Sequence, residues 1–369
     1  MTGRRLLPRL GLALIASGLA FVLCEVGARM IFPPPPIGTR QPEIGYLRDP
    51  EVRYVMAPGQ QGWIDDGLVS VNSLGFRGSE VVLPKPPGRF RIVVTGDSLT
   101  LGWGVGDDET YAARLEQLLR NRFPDQDLDV INLGVGGYNT RQEVAILERN
   151  VPRLQPDLVI VGFYLNDVPE ALADEEPAGG KTGIAAGKAR ADELMHLNPT
   201  PSGWWNRLLR RSRLLYIAGR AFNRMTGAGE RGQAQFEVEL DVLAGRESPQ
   251  IERAWNKIAT QFERLRGLAD AQGFAVGIVA LSCREQIMDQ SVSTHYPDAL
   301  RATASPLGFH VIDPSPLMRD SRIAKQELFI PYDRNHPSAE GHALIAQAIF
   351  RYLEEHDLVT ATRPPQAGP

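Results

Sequence analysis

The chain has 369 residues, with 40 Lys and Arg against 44 Asp and Glu, six His, and 43% hydrophobic content. That is room for an α/β domain of 200–250 residues and more. The charge balance lacks the basic excess of a nucleic-acid binder, so none is expected as a partner. The two cysteines, Cys24 and Cys283, sit in settings that do not suggest a disulfide, and no Cys/His cluster has metal-ligand spacing.

Arg4, Arg5 and Arg9 precede an uninterrupted apolar run from Leu10 to Cys24. One reading is a signal-peptide core with Val26-Gly27-Ala28 as its cleavage site, which would make the protein secreted. The favoured reading continues the helix to Phe32, with Glu25 and Arg29 four apart on one face. That gives about 20 residues, enough to cross a membrane. The basic flank then stays inside, and Pro33 to Pro36 form a stiff spacer. Leu23 stands where a small residue is expected before a lipid-modified cysteine, so Cys24 is not read as one. The expected divisions are an anchor or signal segment 1–36, an accessory β/turn region and linker 37–88, a main domain 89–358 and a disordered tail 359–369.

In the accessory region Val69 to Gly78 reads as a short strand and turn laid over the core, and Pro84 to Gly88 as a linker. From Arg89 the rhythm is regular. Strand Arg91–Thr95 precedes helix Tyr111–Phe123, strand Asp129–Leu133 precedes helix Arg141–Leu154, and strand Leu158–Phe163 ends at Asn166-Asp167. The rhythm breaks across an insert at about 169–250. It holds a small, polar loop at 178–187, then Trp204, Trp205 and a basic helical stretch from Arg207 to Arg220. The insert reads as a helix pair packed on the domain, or as a lid or membrane-resting face. Helix Ile251–Gln272, strand Phe274–Leu281, a helical stretch near Pro297–Ser305, strand His310–Ile312 and helix Ala339–Glu355 complete the pattern. Apolar strands alternating with amphipathic helices predict an α/β fold with a five-stranded parallel sheet.

The chemistry gathers at strand ends. Val94-Thr-Gly-Asp97-Ser98-Leu-Thr-Leu-Gly102 places a serine on a sharp turn between strand and helix, a setting for a nucleophile or for a helix cap. A serine nucleophile needs a base, and the base needs an orienting partner. Of the histidines, His336 stands apart in Asp333-Arg-Asn-His336-Pro337, a loop before a helix with Ser338 as its N-cap. Asp333 can curl onto the inner imidazole nitrogen; Asp313, at the end of the fifth strand, is the rival orienter. The oxyanion made by attack needs preorganised donors. Asn132 to Thr140, with Gly134, Gly136 and Gly137, and Gly162-x-x-x-Asn166-Asp167 offer them at two other strand ends.

These motifs resemble the SGNH, or GDSL-type, hydrolases. The resemblance covers about Arg89–Val168 and Ile251–Leu358. It implies a three-layer α/β/α sandwich, flavodoxin-like, with no cofactor. It assigns Ser98 as nucleophile, His336 as base and Asp333 as orienter, with the Ser98 N–H, Gly137 N–H and Asn166 side chain as the oxyanion hole. The activity implied is that of a serine esterase or acylhydrolase. The expected substrate is a short-chain O-acyl ester, acetyl above all, on a small molecule or glycan outside the cytoplasmic membrane. Trp103, Tyr138 and Asn139 would shape a polar, partly aromatic groove, which Trp204 and Trp205 could extend. The alternatives are an O-acyltransferase acting on an extracytoplasmic polysaccharide, a lysophospholipase or lipase-like enzyme, and a silent scaffold.

Overall fold

The computed structural model describes residues 6–31, 42–172, 212–215, 217–218, 230–289, 295–330, 333 and 335–359, with side chains from Ala16 in the first helix and from Glu237 in 230–243.

 Contacts divide the chain into two compact units: 1–39 with 199–229, and 40–198 with 230–369. The first unit holds helix α1 (Leu6–Ile31). Within that unit the Glu25 carboxylate accepts from Arg29 Nε at 2.7 Å, from Ser212 Oγ at 2.7 Å, and from the Arg213 and Leu214 N–H groups at 2.9 and 3.0 Å. The expected helix is present, but among the described residues no helix is long and apolar enough to cross a membrane. The Pro33–Pro36 spacer, the 178–187 loop, Trp204, Trp205 and the tail from 360 lie outside the described residues.

The second unit opens with two antiparallel hairpins, β1 (Tyr46–Asp49) with β2 (Arg53–Met56) and β3 (Gln60–Ile64) with β4 (Gly67–Val71). The sequence reading placed one short strand here; the rest was hidden because these strands are only four or five residues long. After β4, Arg77 bridges to Asn132, which sets this segment beside the core sheet and covers an edge that would otherwise stand open.

The core sheet is built from β5 (Phe90–Gly96), β6 (Leu128–Asn132), β7 (Leu158–Phe163), β8 (Ala275–Ala280) and β9 (His310–Ile312). They lie in the order β6-β5-β7-β8-β9, all parallel. Every residue of β7 is buried, as expected for a strand covered on both faces. The short helix α2 (Ser98–Leu101) and then α3 (Tyr111–Arg122) lead outward from β5 to β6. Helix α4 (Thr140–Leu154) leads back past β5 to β7. Right-handed crossovers in opposite directions put α3 and α4 on opposite faces. A single turn, α5 (Asp167–Glu170), closes β7, and α6 (Glu230–Leu243) and α7 (Pro249–Gln272) lead to β8. Helices α8 (Arg284–Met288) and α9 (His295–Ala304) precede β9, and α10 (Ser315–Asp320) and α11 (Ala339–Glu355) follow it. Helix α11 packs on α3, and α7 packs on α4, giving helix, sheet and helix layers. The strand order reverses between β5 and β7, the position where open α/β sheets bind their ligands.

Candidate active site

Ser98 begins α2 directly after β5. Asp97 caps that helix, its carboxylate accepting the Leu99 N–H at 2.8 Å. The turn is tight because β5 ends on Gly96, which pairs with Gly162 near the end of β7. A Cβ on either would lie 2.0 or 2.2 Å from Thr100 Oγ1. No side chain fits there, so the α2 turn settles onto the two strand ends and lifts Ser98 to the sheet's carboxyl edge.

The loop before α11 brings His336 to that edge. Its Nε2 lies 2.8 Å from Ser98 Oγ, and its Nδ1 lies 2.8 Å from Asp333 Oδ2. Asp333 Oδ1 accepts the Asn335 and His336 N–H groups at 2.8 and 2.9 Å, which folds the carboxylate under the imidazole. Burial opposes the Asp333 charge, but the hydrogen bond and charge of His336, with those two N–H groups, outweigh it and hold the carboxyl at about 2. Arg284 Nη1 donates to the Asp333 carbonyl at 3.0 Å. Asp313 instead accepts the Ser315 N–H at 2.9 Å, at the start of α10. Geometrically, then, Asp333 and not Asp313 is the carboxylate that partners His336.

The oxyanion candidates lie at the ends of β6 and β7. After β6, Gly134 gives its N–H to Asn132 Oδ1 at 2.9 Å, so that donor is used. Gly137, at φ +75°, is the third residue of a turn closed by Tyr138 N–H to Val135 O at 3.2 Å. Its N–H takes no acceptor among the described residues. After β7, Asn166 Nδ2 donates to Asp97 Oδ2 at 3.3 Å and to Glu170 Oε1 at 3.2 Å. Donation to an oxyanion exchanges one of these long bonds, a tightening common on substrate binding.

A cluster of buried acids stands behind these loops. Asp167 Oδ1 accepts the Thr140 N–H at 2.7 Å and its hydroxyl at 3.0 Å, while Oδ2 accepts the Tyr164 N–H at 3.1 Å. One carboxylate thereby ties the start of α4 to the end of β7. Burial, then the nearby Asp97 charge, raises Asp167 to about 7. Burial raises Asp97 to about 6. Glu143 is fully buried, neither of its carboxyl oxygens has a hydrogen-bond partner among the described residues, and burial followed by the Asp167 charge pushes it well above the usual range.

Three contacts around the site are not expected from the sequence. Trp103 stacks on His336, with ring centroids 5.7 Å apart and 25° between planes. Arg77, buried, donates to the carbonyls of Leu101, Gly102 and Val105 at 2.6 Å each and pairs with Asp107 at 3.1 Å. Tyr54 of β2 donates its hydroxyl to the Gly136 carbonyl at 2.9 Å. Trp103 was expected as a groove wall but not against His336, and the Gly75-Phe76-Arg77-Gly78 turn was a visible signal for Arg77; nothing local in the sequence marks Tyr54. The expectation that Tyr138 and Asn139 face a substrate groove is corrected. Both are buried: Tyr138 gives its hydroxyl to the Tyr54 carbonyl, and Asn139 caps α4 by accepting the Gln142 N–H at 3.2 Å.

A parallel α/β sheet with serine, histidine and aspartate in hydrogen-bonded series at its carboxyl edge defines an acyl hydrolase, an esterase in the broad sense. The model of the GDSL-like Lipase/Acylhydrolase family matches residues 94–344, and the chain belongs to that family. Solved structures that align with the chain include an α/β hydrolase from the metagenome of Lake Arreo, Spain, at 16% identity and TM-score 0.42, covering 72% of this chain and 95% of that one. TesA aligns at 12% identity and TM-score 0.42, covering 73% of this chain and 99% of its own. An acetylxylan esterase from Geobacillus stearothermophilus aligns at 15% identity and TM-score 0.40, covering 72% and 94%. None of these likenesses is close enough to bear on substrate. A search of the curated proteins finds no match at the significance required.

Proposed function

We propose that the chain hydrolyses short-chain O-acyl esters, acetyl esters of carbohydrates above all, with Ser98 as nucleophile. The observation that carries the mechanism is the 2.8 Å approach of His336 Nε2 to Ser98 Oγ, with Asp333 on the opposite imidazole nitrogen. His336 takes the hydroxyl proton as Ser98 attacks the ester carbonyl. The imidazolium so formed lies against the Asp333 carboxylate. The Ser98 and Gly137 N–H groups and the Asn166 amide receive the oxyanion, and His336 returns the proton to the departing alcohol. Water then repeats the sequence on the acyl-enzyme. The Trp103 ring on His336 supports a short acyl group, because it sets a bulky wall beside the nucleophile.

The enzyme works outside the cytoplasmic membrane in this reading, tethered by α1. The Arg4, Arg5 and Arg9 flank and the apolar run that follows support the tether. So does the exposure of Leu19, Phe21, Val22, Leu23, Val26, Met30 and Ile31 along α1, since an exposed run of large apolar side chains calls for an apolar surrounding. The test of substrate is the rate profile on acetyl, butyryl, octanoyl and palmitoyl esters, with deacetylation of an acetylated glycan. Highest kcat/KM at acetyl or butyryl is expected; a maximum at octanoyl or longer overturns the short-acyl reading. Carbonate washing tests the tether: full-length protein stays with the membrane pellet, whereas a soluble form beginning near Arg29 indicates cleavage.

A further inference from the structure

The Gly136 carbonyl and the Gly137 N–H belong to one peptide group, which is planar and trans, so the two point in opposite directions. That peptide is the centre of the Val135–Tyr138 turn. Gly137, at φ +75° in the third position, marks a type II turn. A type I turn places the same four residues with the central peptide rotated by roughly 180°, which exchanges the directions of carbonyl and N–H. Glycine adopts both geometries readily. The loop therefore has two close alternatives, and only one presents the Gly137 N–H as it stands here.

The choice is held by a residue far away in sequence. The Tyr54 hydroxyl donates to the Gly136 carbonyl at 2.9 Å. Tyr54 is itself fixed: its ring is buried, it lies 5.6 Å from the Tyr138 ring, and its carbonyl accepts the Tyr138 hydroxyl. Gln142 of α4 adds a bond from Nε2 to the Val52 carbonyl at 2.8 Å, which ties the adjoining turn of the hairpin to the same loop.

We propose that Tyr54 is a positioning residue for oxyanion stabilisation, its hydroxyl locking the Gly136–Gly137 peptide so that the Gly137 N–H faces the oxyanion formed at Ser98. The assignment rests on Gly137 as an oxyanion donor. Tyr54 precedes the family-matched residues 94–344, so this chain's accessory hairpin takes part in the geometry of the site. A donor on the carbonyl also polarises the peptide and strengthens its N–H as a donor in turn.

The test is Tyr54→Phe, which keeps the ring and removes only the hydroxyl. Loss of a whole oxyanion donor costs about 10²–10³ in kcat; a donor left in place but misdirected for part of the time is expected to cost about tenfold. KM should stay within about twofold, and affinity for an aryl boronic acid, which forms a tetrahedral adduct on the serine, should fall in parallel with kcat. Arg149→Met is the control. It loosens the same hairpin by removing the contacts to Asp49 and Glu51 without touching the turn, and kcat should be unchanged. An equal loss of kcat in both variants, an unchanged kcat in Tyr54→Phe, or a loss confined to KM overturns the proposal. A second measurement needs no variant: in wild-type protein carrying ¹⁵N-glycine, the Gly137 amide proton should move downfield when the boronate binds, and no movement overturns it. Kinetics use whichever acyl ester is turned over fastest, so failure of the short-acyl reading leaves this test intact.

Discussion

Ser98 and His336 form a unit, because neither the attack nor the proton transfer proceeds without the other. Ser98→Ala and His336→Ala should each abolish nearly all ester cleavage in a folded protein, and the double variant should be scarcely worse than either single. Steady-state rates with a circular-dichroism check on folding decide this; additive losses would contradict it. Asp333→Asn should remove most of the activity through loss of tautomer control, whereas Asp313→Asn, whose carboxylate instead accepts the Ser315 N–H, should leave it. The reverse pattern would make Asp313 the orienting group. These residues were legible in the sequence because each sits in a short motif at a predicted strand end or before the last helix. Gly137 was not separable from Gly134 and Gly136 by spacing. What marks Gly137 is that Gly134 has spent its N–H on Asn132, and that the Tyr54 bond to the Gly136 carbonyl fixes the peptide whose N–H Gly137 carries. Tyr138 and Asn139 were misread for the opposite reason: their polar tips suggested a substrate, but the fold uses those tips to close its own loop.

At the scale of elements, the segment Val71–Gly78 shows how a region outside the core sheet comes to matter to the site. Three carbonyls of the loop after Ser98 converge on one buried guanidinium, and Asp107 balances its charge. Arg77→Met leaves those carbonyls buried without donors, at about 1–3 kcal/mol each where no water reaches them. The variant should unfold at lower urea concentration and should also lose kcat, because the freed loop carries Trp103, which stacks on His336. Trp103→Phe should retain more activity than Trp103→Ala, since a phenyl ring can still cover the imidazole. Equal activity in the two would show that the stacking does not position His336. The core helices and strands were legible almost to the residue, as with Leu158–Phe163 and Ala339–Glu355, because apolar periodicity is a local signal. Arg77 and Tyr54 act across long separations, to Leu101 and to Gly136, and no local pattern announces such partners.

Across the whole molecule, the buried acids behind the site tie stability to pH. Glu143 ordinarily titrates near 4.5; in the fold, burial and the Asp167 charge keep it neutral far above that. The unfolded chain ionises it freely. A carboxyl whose pKa is raised by folding contributes stability that is fully present below its unfolded pKa and lost as the pH rises toward its folded value. Asp97, at about 6, and Asp167, at about 7, act in the same direction. Asp333, held at about 2, acts oppositely: its contribution is present above its ordinary 3.8 and is lost as the pH falls through about 2. Thermal stability should therefore decline from about pH 5 toward pH 8 and decline again in strong acid. Glu143→Gln replaces the neutral carboxyl with a neutral amide of the same shape and abolishes one source of the alkaline decline. Its Tm should match the wild type near pH 4.5 and exceed it at pH 8, as read by scanning fluorimetry across a buffer series. A shift of the same size at both pH values would mean that packing, not ionisation, sets the effect of Glu143, and that its proton is not part of the folded state.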